Sequence, residues 1–351
     1  MAEFDFDYDL LKELTEERGV PGYEDRVRDI VRRELSETTD EVTSDAMGNV
    51  VGTIRGESDY SVVVGAHMDE IGFMVRHVDD DGFLQLDALG GWDARVLRAQ
   101  RVTVHTEDGD LTGIIGSPPP HTQKGDEGAT EPEVEDVYVD MGMDGDALAE
   151  RVSPGDLVTM DQTTTTVGDL VTGKSLDDRV CLFAVLEAAR RIEDPPVTVH
   201  VAATVQEEVG LRGAETLGVD LSPDLAIALD VTVASDTPGV DESKQVTRLG
   251  EGAAIKLKDS SVITNPKVNR RLRDVAASAE IPHQLEILPS GGTDTASFQR
   301  ANGATPVGAL SIPTRYLHTV TESAHHEDIA ATVDLLTAFL ESETGEHDYT
   351  L

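Results

Sequence analysis

The chain has 351 residues, and its 28 Lys and Arg face 68 Asp and Glu, a formal net charge of -40 with a pI near 4.3. Such a surface repels nucleic acid and anionic membranes, which excludes both as partners. A single cysteine, Cys181, excludes an intramolecular disulfide framework and a paired-cysteine metal knuckle, and 39% apolar residues with clear strand patterns exclude an acidic disordered chain.

The first segment, residues 7–35, repeats apolar side chains at helical spacing: Leu10, Leu11 and Leu14, then Val27, Ile30 and Val31. Pro21-Gly22 divides it into two predicted helices. The N-terminal MAEFDFDYDL is acidic and lacks a basic leader, and no apolar run reaches the length of a membrane span. A cytoplasmic protein is the expectation. Residues 49–54 and 61–66 predict strands. The second is continuously apolar, as in a strand buried on both faces. From 72 to 168 short alternating runs dominate, such as Phe83-Leu84-Gln85-Leu86 and Arg101-Val102-Thr103-Val104-His105, separated by Asp-Gly and Pro-Gly turns. That pattern predicts a small β-rich barrel or sandwich. Residues 118–135 are proline-led, polar and acidic, and read as a loop.

After Gly168 helix and strand alternate. Helices are predicted over 178–192, 269–280 and 326–341, and strands over 197–205, 225–229, 284–288 and 305–310. Cys181 lies in the apolar helical run VCLFAVLEAA, where a packed small side chain is expected rather than a nucleophile. The expected fold is α/β: a three-layer α/β/α catalytic domain, residues 1–71 and 169–351, with a mostly parallel sheet. The β-rich domain, residues 72–168, is inserted between its parts.

Ligands of open α/β sheets bind beyond the carboxyl ends of the strands. Donors of metal type stand at such ends in five segments. His67 and Asp69 follow residues 61–66 in AHMDE. Asp177 and Asp178 open a helix in GKSLDDR. Glu207 and Glu208 follow a strand in VQEEVG, Asp230 ends another, and His318 in RYLHT follows the last. Singly, each has an ordinary explanation: a surface pair, a helix cap, a solvated pair, a turn former, a hydrogen-bonded histidine. As a set they resist it, because acidic pairs rarely abut buried apolar strands. Two imidazoles and three carboxylates suit two divalent ions, zinc, cobalt or manganese, with one carboxylate bridging. Hydrolysis there also needs a carboxylate that is not a ligand, to accept a proton. Neighbouring side chains in EE project differently, so one can ligate while the other serves as base. Asp69 stands two residues from His67, in reach of the second ring nitrogen.

AHMDEIGFMV, GKSLDDR, QEEVGLRGA, ALDVT, GGTDTASF and RYLHT resemble the signature segments of the cytosolic glutamyl/leucyl aminopeptidases, metallopeptidase family 42, whose large assemblies are the TET peptidases. GGWDARVL and the segment 116–121 fit the same resemblance, which runs from about residue 10 to 341. It implies that His67, Asp177 and Asp230 hold one metal ion and that Asp177, Glu208 and His318 hold the other, with Asp177 bridging. It makes Glu207 the general acid/base and Asp69 its catalytic neighbour beyond the ligands. It implies a cis Asp177–Asp178 peptide and a PDZ-like character for the inserted domain. It also implies peptide substrates and a homo-oligomer, a tetrahedral dodecamer built from dimers. Gly291, Gly292, Thr293 and Asp294 match a loop near the site, with a helix N-cap as the other role for Asp294. The alternatives to an aminopeptidase are another amidohydrolase or deacylase on this scaffold, or a non-enzymatic metal-binding scaffold. A sugar hydrolase is disfavoured by His67 and His318. Scarce lysine with abundant acid also resembles adaptation to high salt, hence a halophile, since molar salt shortens the Debye length to about 3 Å and screens self-repulsion.

Overall fold

The computed structural model describes residues 4–117, 119 and 133–351. Most of the loop predicted over 118–135 therefore lies outside the described residues; at its end Val134–Asp136 makes one 3-10 turn. Two amphipathic helices open the chain, α1 (Tyr8–Glu16) and α2 (Asp25–Thr38), separated around Pro21-Gly22. The Asp7 side chain caps α1 by accepting from the Leu10 amide at 3.1 Å. Strands β1 (Glu41–Ser44), β2 (Val50–Ile54) and β3 (Ser58–His67) follow.

Among the described residues the next six strands close a barrel. They are β4 (Gly72–Val78), β5 (Phe83–Leu89), β6 (Gln100–Thr106), β7 (Gly109–Ile115), β8 (Tyr138–Asp140) and β9 (Leu157–Met160), in the order β4-β5-β8-β7-β6-β9. A short helix, α3 (Gly145–Ala149), precedes β9. Alternate residues fill the barrel's own core: Phe73 and Val75, Leu84 and Leu86, Val102 and Val104. This is the period-2 pattern of the sequence folded on itself.

The chain then returns to the larger sheet through β10 (Thr165–Val167) and β11 (Leu170–Gly173). It continues through α4 (Leu176–Arg191), β12 (Val197–Thr204), α5 (Arg212–Leu221), β13 (Leu225–Val233) and β14 (Ala253–Lys258). It ends with α6 (Pro266–Ser278), β15 (His283–Ile287), α7 (Thr295–Arg300), β16 (Val307–Arg315), β17 (Glu322–His325) and α8 (His326–Ser342). Among the described residues eleven strands form this sheet, in the order β1-β2-β12-β3-β13-β16-β17-β11-β10, with β14 and β15 branching from β16.

A mostly parallel sheet is the expectation, and the structure corrects it. β12, β3, β13 and β16 are parallel, as is the β14–β15 pair, while the flanks are antiparallel. Connection length is the reason. The short turns from β1 to β2 and from β10 to β11 permit only antiparallel neighbours, whereas a parallel pair needs a longer crossover. Helices cover both faces. α1, α2, α4, α6 and α8 bury Leu11, Val31, Phe183, Leu272 and Phe339 on one side, and α5 and α7 bury Leu217 and Phe298 on the other. β3 serves both cores, with Val62 and Val64 in the first and Val63 in the second. Cys181 is buried in α4, packed and free. No helix among the described residues is long and apolar enough to cross a membrane.

Candidate metal centre

The parallel centre of the sheet aims its carboxyl ends at one place. β3 ends on His67, Glu207 and Glu208 follow β12, β13 carries Asp230, and His318 follows β16. Strand pairing fixes their level: Thr204 lies opposite His67, and Asp230 opposite Ser311. Asp177 enters from the start of α4, where Asp177 and Asp178 have non-helical torsions and the peptide between them is cis.

Asp177 stands between the two histidines. Its Oδ1 is 3.3 Å from His67 Nε2 and its Oδ2 is 3.3 Å from His318 Nε2. The donor atoms of His67, Asp177 and Asp230 lie within 4.8 Å of one another, and so do those of Asp177, Glu208 and His318. The two triads share Asp177. Glu207 Oε2 is 4.0 Å from His67 Nε2, and Glu208 Oε1 is 4.0 Å from His318 Nε2.

The hydrogen bonds decide which ring nitrogen is free. His67 Nδ1 is 3.0 Å from the Asp69 carbonyl, and His318 Nδ1 is 2.6 Å from the Gly91 carbonyl. A carbonyl only accepts, so Nδ1 carries the hydrogen in both rings, and the lone pair of the neutral imidazole is on Nε2. Each Nε2 faces a carboxylate oxygen, a second acceptor. Two acceptors at 3.3 Å require a cation or a proton between them. Imidazole nitrogens and carboxylate oxygens are donors that zinc, cobalt and manganese accept, so the residues fit such an ion.

The protonation equilibria express the same demand. Burial pulls the His67 pKa down, but the bonds to Asp177 and Asp69 outweigh it and leave it well above the usual value. The bond to Asp177, working against burial, pushes His318 up to about 10. Burial alone would raise Asp177, yet the two imidazoles hold it below the usual carboxylate range. Burial, reinforced by neighbouring carboxylates, lifts Glu207 and Asp230 well above theirs and Glu208 to about 8. Carboxylates crowded out of water resist ionising until positive charge joins them.

The sequence model of the M42 glutamyl aminopeptidases matches residues 48–335. The chain belongs to the M42 peptidase family. It is 36% identical to the lysyl aminopeptidase of Pyrococcus furiosus, over 98% of this chain and 99% of that one. An aminopeptidase from the archaeon Desulfurococcus kamchatkensis matches it with a TM-score of 0.92 at 38% identity, covering 96% of this chain and 95% of that one. The TET1 peptidase of Pyrococcus horikoshii, which assembles into a tetrahedron or a large octahedral shell, matches with a TM-score of 0.86 at 32% identity, over 96% and 99% of the two chains. The protein is therefore a hydrolase, an aminopeptidase of a metal-dependent family.

Around the donors of this M42 aminopeptidase, three buried carboxylates hold the frame. The Asp69 carboxylate accepts from the Glu207 and Glu208 amides, each at 3.1 Å, and lies 3.5 Å from His67 Nδ1. It fixes the turn that carries both glutamates, while its own carbonyl orients His67. Glu322, which the sequence reading missed, accepts from the Asp177 amide at 2.9 Å and the His318 amide at 2.8 Å. The one sequence signal for it is its spacing, four residues after His318 and three before His325, in a chain with 68 acidic residues. Asp294 precedes α7 but caps nothing with its side chain. Its carboxylate accepts from the Thr204 hydroxyl at 2.6 Å instead, at the end of β12. Burial, opposed by that bond, brings Asp294 to about 6.

The backbone is strained around the donors. Ser175, Gln206 and His318 have φ of 59°, 56° and 57°. The left-handed region costs a non-glycine residue about 1–2 kcal/mol, and such strain gathers where the surroundings hold a site in shape. The pair Gly90-Gly91 crosses from the barrel to this site. Gly90 has a φ of 94°, and a Cβ there would lie 2.5 Å from Ile71 Cγ2; one on Gly91 would lie 3.2 Å from His318 Nδ1.

Proposed function

We propose that this M42 aminopeptidase removes N-terminal residues from short peptides at a pair of divalent ions. His67, Asp177 and Asp230 would hold one ion, and Asp177, Glu208 and His318 the other. The observation that carries the reading is Asp177, which turns one oxygen toward each imidazole at 3.3 Å. Zinc suits this donor set best, with cobalt and manganese acceptable. When bound, the ions polarise the scissile carbonyl and acidify water.

The chain's own residues do the rest. Glu207 is buried beside the donors yet belongs to neither triad. It accepts the proton of the attacking water and gives it to the leaving amine. Burial raises its proton affinity, which suits a group that must take a proton and release it near neutral pH. Asp69 and Glu322 position the backbone on either side. Asp69 keeps Glu207 and Glu208 on adjacent bearings, one for the proton and one for the ion.

The domain reading has residues 1–71 and 169–351 as the catalytic unit and 72–168 as the inserted one. It is supported by a closed barrel whose strands all fall between Gly72 and Met160 around their own core. By likeness to the P. horikoshii peptidase, which assembles into a tetrahedron or an octahedral shell and is also seen as a dodecamer, this chain would form a homo-oligomer. Our reading has twelve copies built from dimers, with the barrel making the dimer contact.

The test is Glu207→Gln. Hydrolysis of an aminoacyl p-nitroanilide should fall by about 10²–10⁴-fold, with the ion content by mass spectrometry unchanged at about two per chain. Full activity, or loss of the ions along with activity, removes Glu207 from this role.

A further inference from the structure

We infer that this site selects a neutral aliphatic N-terminal residue and rejects an acidic one. The inference rests on the aminopeptidase reading above and names the side chain that the site takes. Membership of the family does not settle it, since the family is described by a glutamyl activity and the P. furiosus relative by a lysyl one.

A cavity of about 450 Å³ adjoins the triads, with Asp177, Asp230 and His318 on its wall. That volume lies in the range of pockets that bury small ligands. Away from the triads the wall is formed by Val231, Val233, Leu288 and Leu317, with a strip of glycine, serine and threonine over 290–293. Among the described residues no lysine or arginine lines it. The one lining group able to carry positive charge is His318, and its Nε2 is turned to Asp177.

The charged groups on the wall are already committed. Asp177, Asp230 and His318 belong to the triads. The remaining lining carboxylate, Asp93, is already engaged by Arg95, whose Nε lies 2.9 Å and Nη2 2.6 Å away, and it also accepts the Arg95 amide at 2.9 Å. A glutamate side chain would lie against Val231, Leu288 and Leu317 and, among the described lining residues, meet no lysine or arginine. A lysine would find no uncommitted carboxylate. Moving a charge out of water without a partner is strongly unfavourable, whereas a leucine side chain gains by burial there.

The experiment compares leucyl, lysyl and glutamyl p-nitroanilides on the metal-loaded protein in molar salt. Leucyl kcat/KM should exceed glutamyl by about 10²-fold or more, the discrimination expected of a pocket that lacks the charged group's partner. Calorimetry should show binding of free leucine and none of free glutamate. Leu288→Arg should raise the glutamyl-to-leucyl ratio by at least about tenfold, the effect of one new charge partner of roughly 1.4 kcal/mol. Val233→Lys, at a more exposed position, should move the ratio the same way if the first variant does not fold. A wild-type preference for glutamyl, or an unmoved ratio in both variants, overturns the inference. If no aminoacyl substrate is cleaved, the aminopeptidase reading fails. The calorimetry then decides alone: leucine bound without glutamate upholds the selectivity, and the reverse overturns it.

Discussion

A carboxylate that accepts two backbone amides fixes two residues at once, and Glu322 does this for Asp177 and His318. Both belong to one triad, so their separation depends on an oxygen pair that donates nothing to an ion. In Glu322→Gln one oxygen becomes an amino group facing a backbone donor, which leaves a buried N–H unpaired. Ion affinity should fall by about 10–100-fold, the usual effect of losing a partner behind the ligands. Competition with a chelating dye measures it, and unchanged affinity would show that Asp177 and His318 hold their places without Glu322. Residues of this kind divide sharply in legibility. His67, Glu208 and Asp230 could be read because each closes an apolar strand with a donor, and Asp177 and His318 because GKSLDDR and RYLHT carry the family resemblance. Asp69 could be read from its spacing to His67, though its grip on the Glu207 and Glu208 amides could not. Glu322 stands four residues after His318, a spacing that suggests a ligand at most. Its actual role, accepting the Asp177 and His318 amides, could not be read because one partner is a backbone group 145 residues away.

At the scale of elements, four strand ends and a helix start converge negative charge on a small volume. The metal-free fold must tolerate that, and pH sets how well. Glu208 is raised to about 8 and His318 to about 10, so both bind protons more tightly folded than unfolded. Stability from such groups is complete below their unfolded values, about 4.3 and 6.5, and is lost as pH rises through the folded ones. The chelator-treated protein should therefore lose thermal stability from about pH 5 to about pH 10, and zinc should remove most of that slope by replacing the protons. Melting temperatures across pH in molar salt, with and without zinc, check this; a metal-free protein that gains stability with rising pH would contradict it. Legibility at this scale followed burial pattern. β3, α4 and α8 are buried over most of their length and carried clear apolar runs. The stretch between 231 and 268 predicts no element, yet it holds β14. Lys256 there looks like a surface residue in sequence. It is fully buried and paired with Glu286 of β15, which also accepts from Thr232 at 2.8 Å. The partner lies 30 residues away, beyond any local pattern. α5 and α7 were missed because short helices rich in small residues are stabilised by packing rather than by propensity.

At the scale of the whole molecule, a net charge of -40 opposes compaction everywhere. Surface pairs such as Arg33–Glu13 and Arg55–Glu41 return little, about 0–1 kcal/mol each. Salt does more: the screening length falls from about 10 Å at 0.1 M to about 3 Å at 1 M. The melting temperature should rise by several degrees between those concentrations, at roughly 2–4 °C for each kcal/mol of relieved repulsion. A flat profile would mean that the acidic surface is not a requirement for salt. The oxygen that sets the tautomer of His318 belongs to Gly91, on the connection between β5 and β6 of the barrel. One imidazole of the donor cluster is therefore oriented from the barrel, not from the sheet that carries it. If the proposed ion sits on His318 and the proposed assembly is gripped through the barrel, then association and ion retention would strengthen each other by the same free energy. On that reading a lone subunit would hold the ion at His318 less tightly.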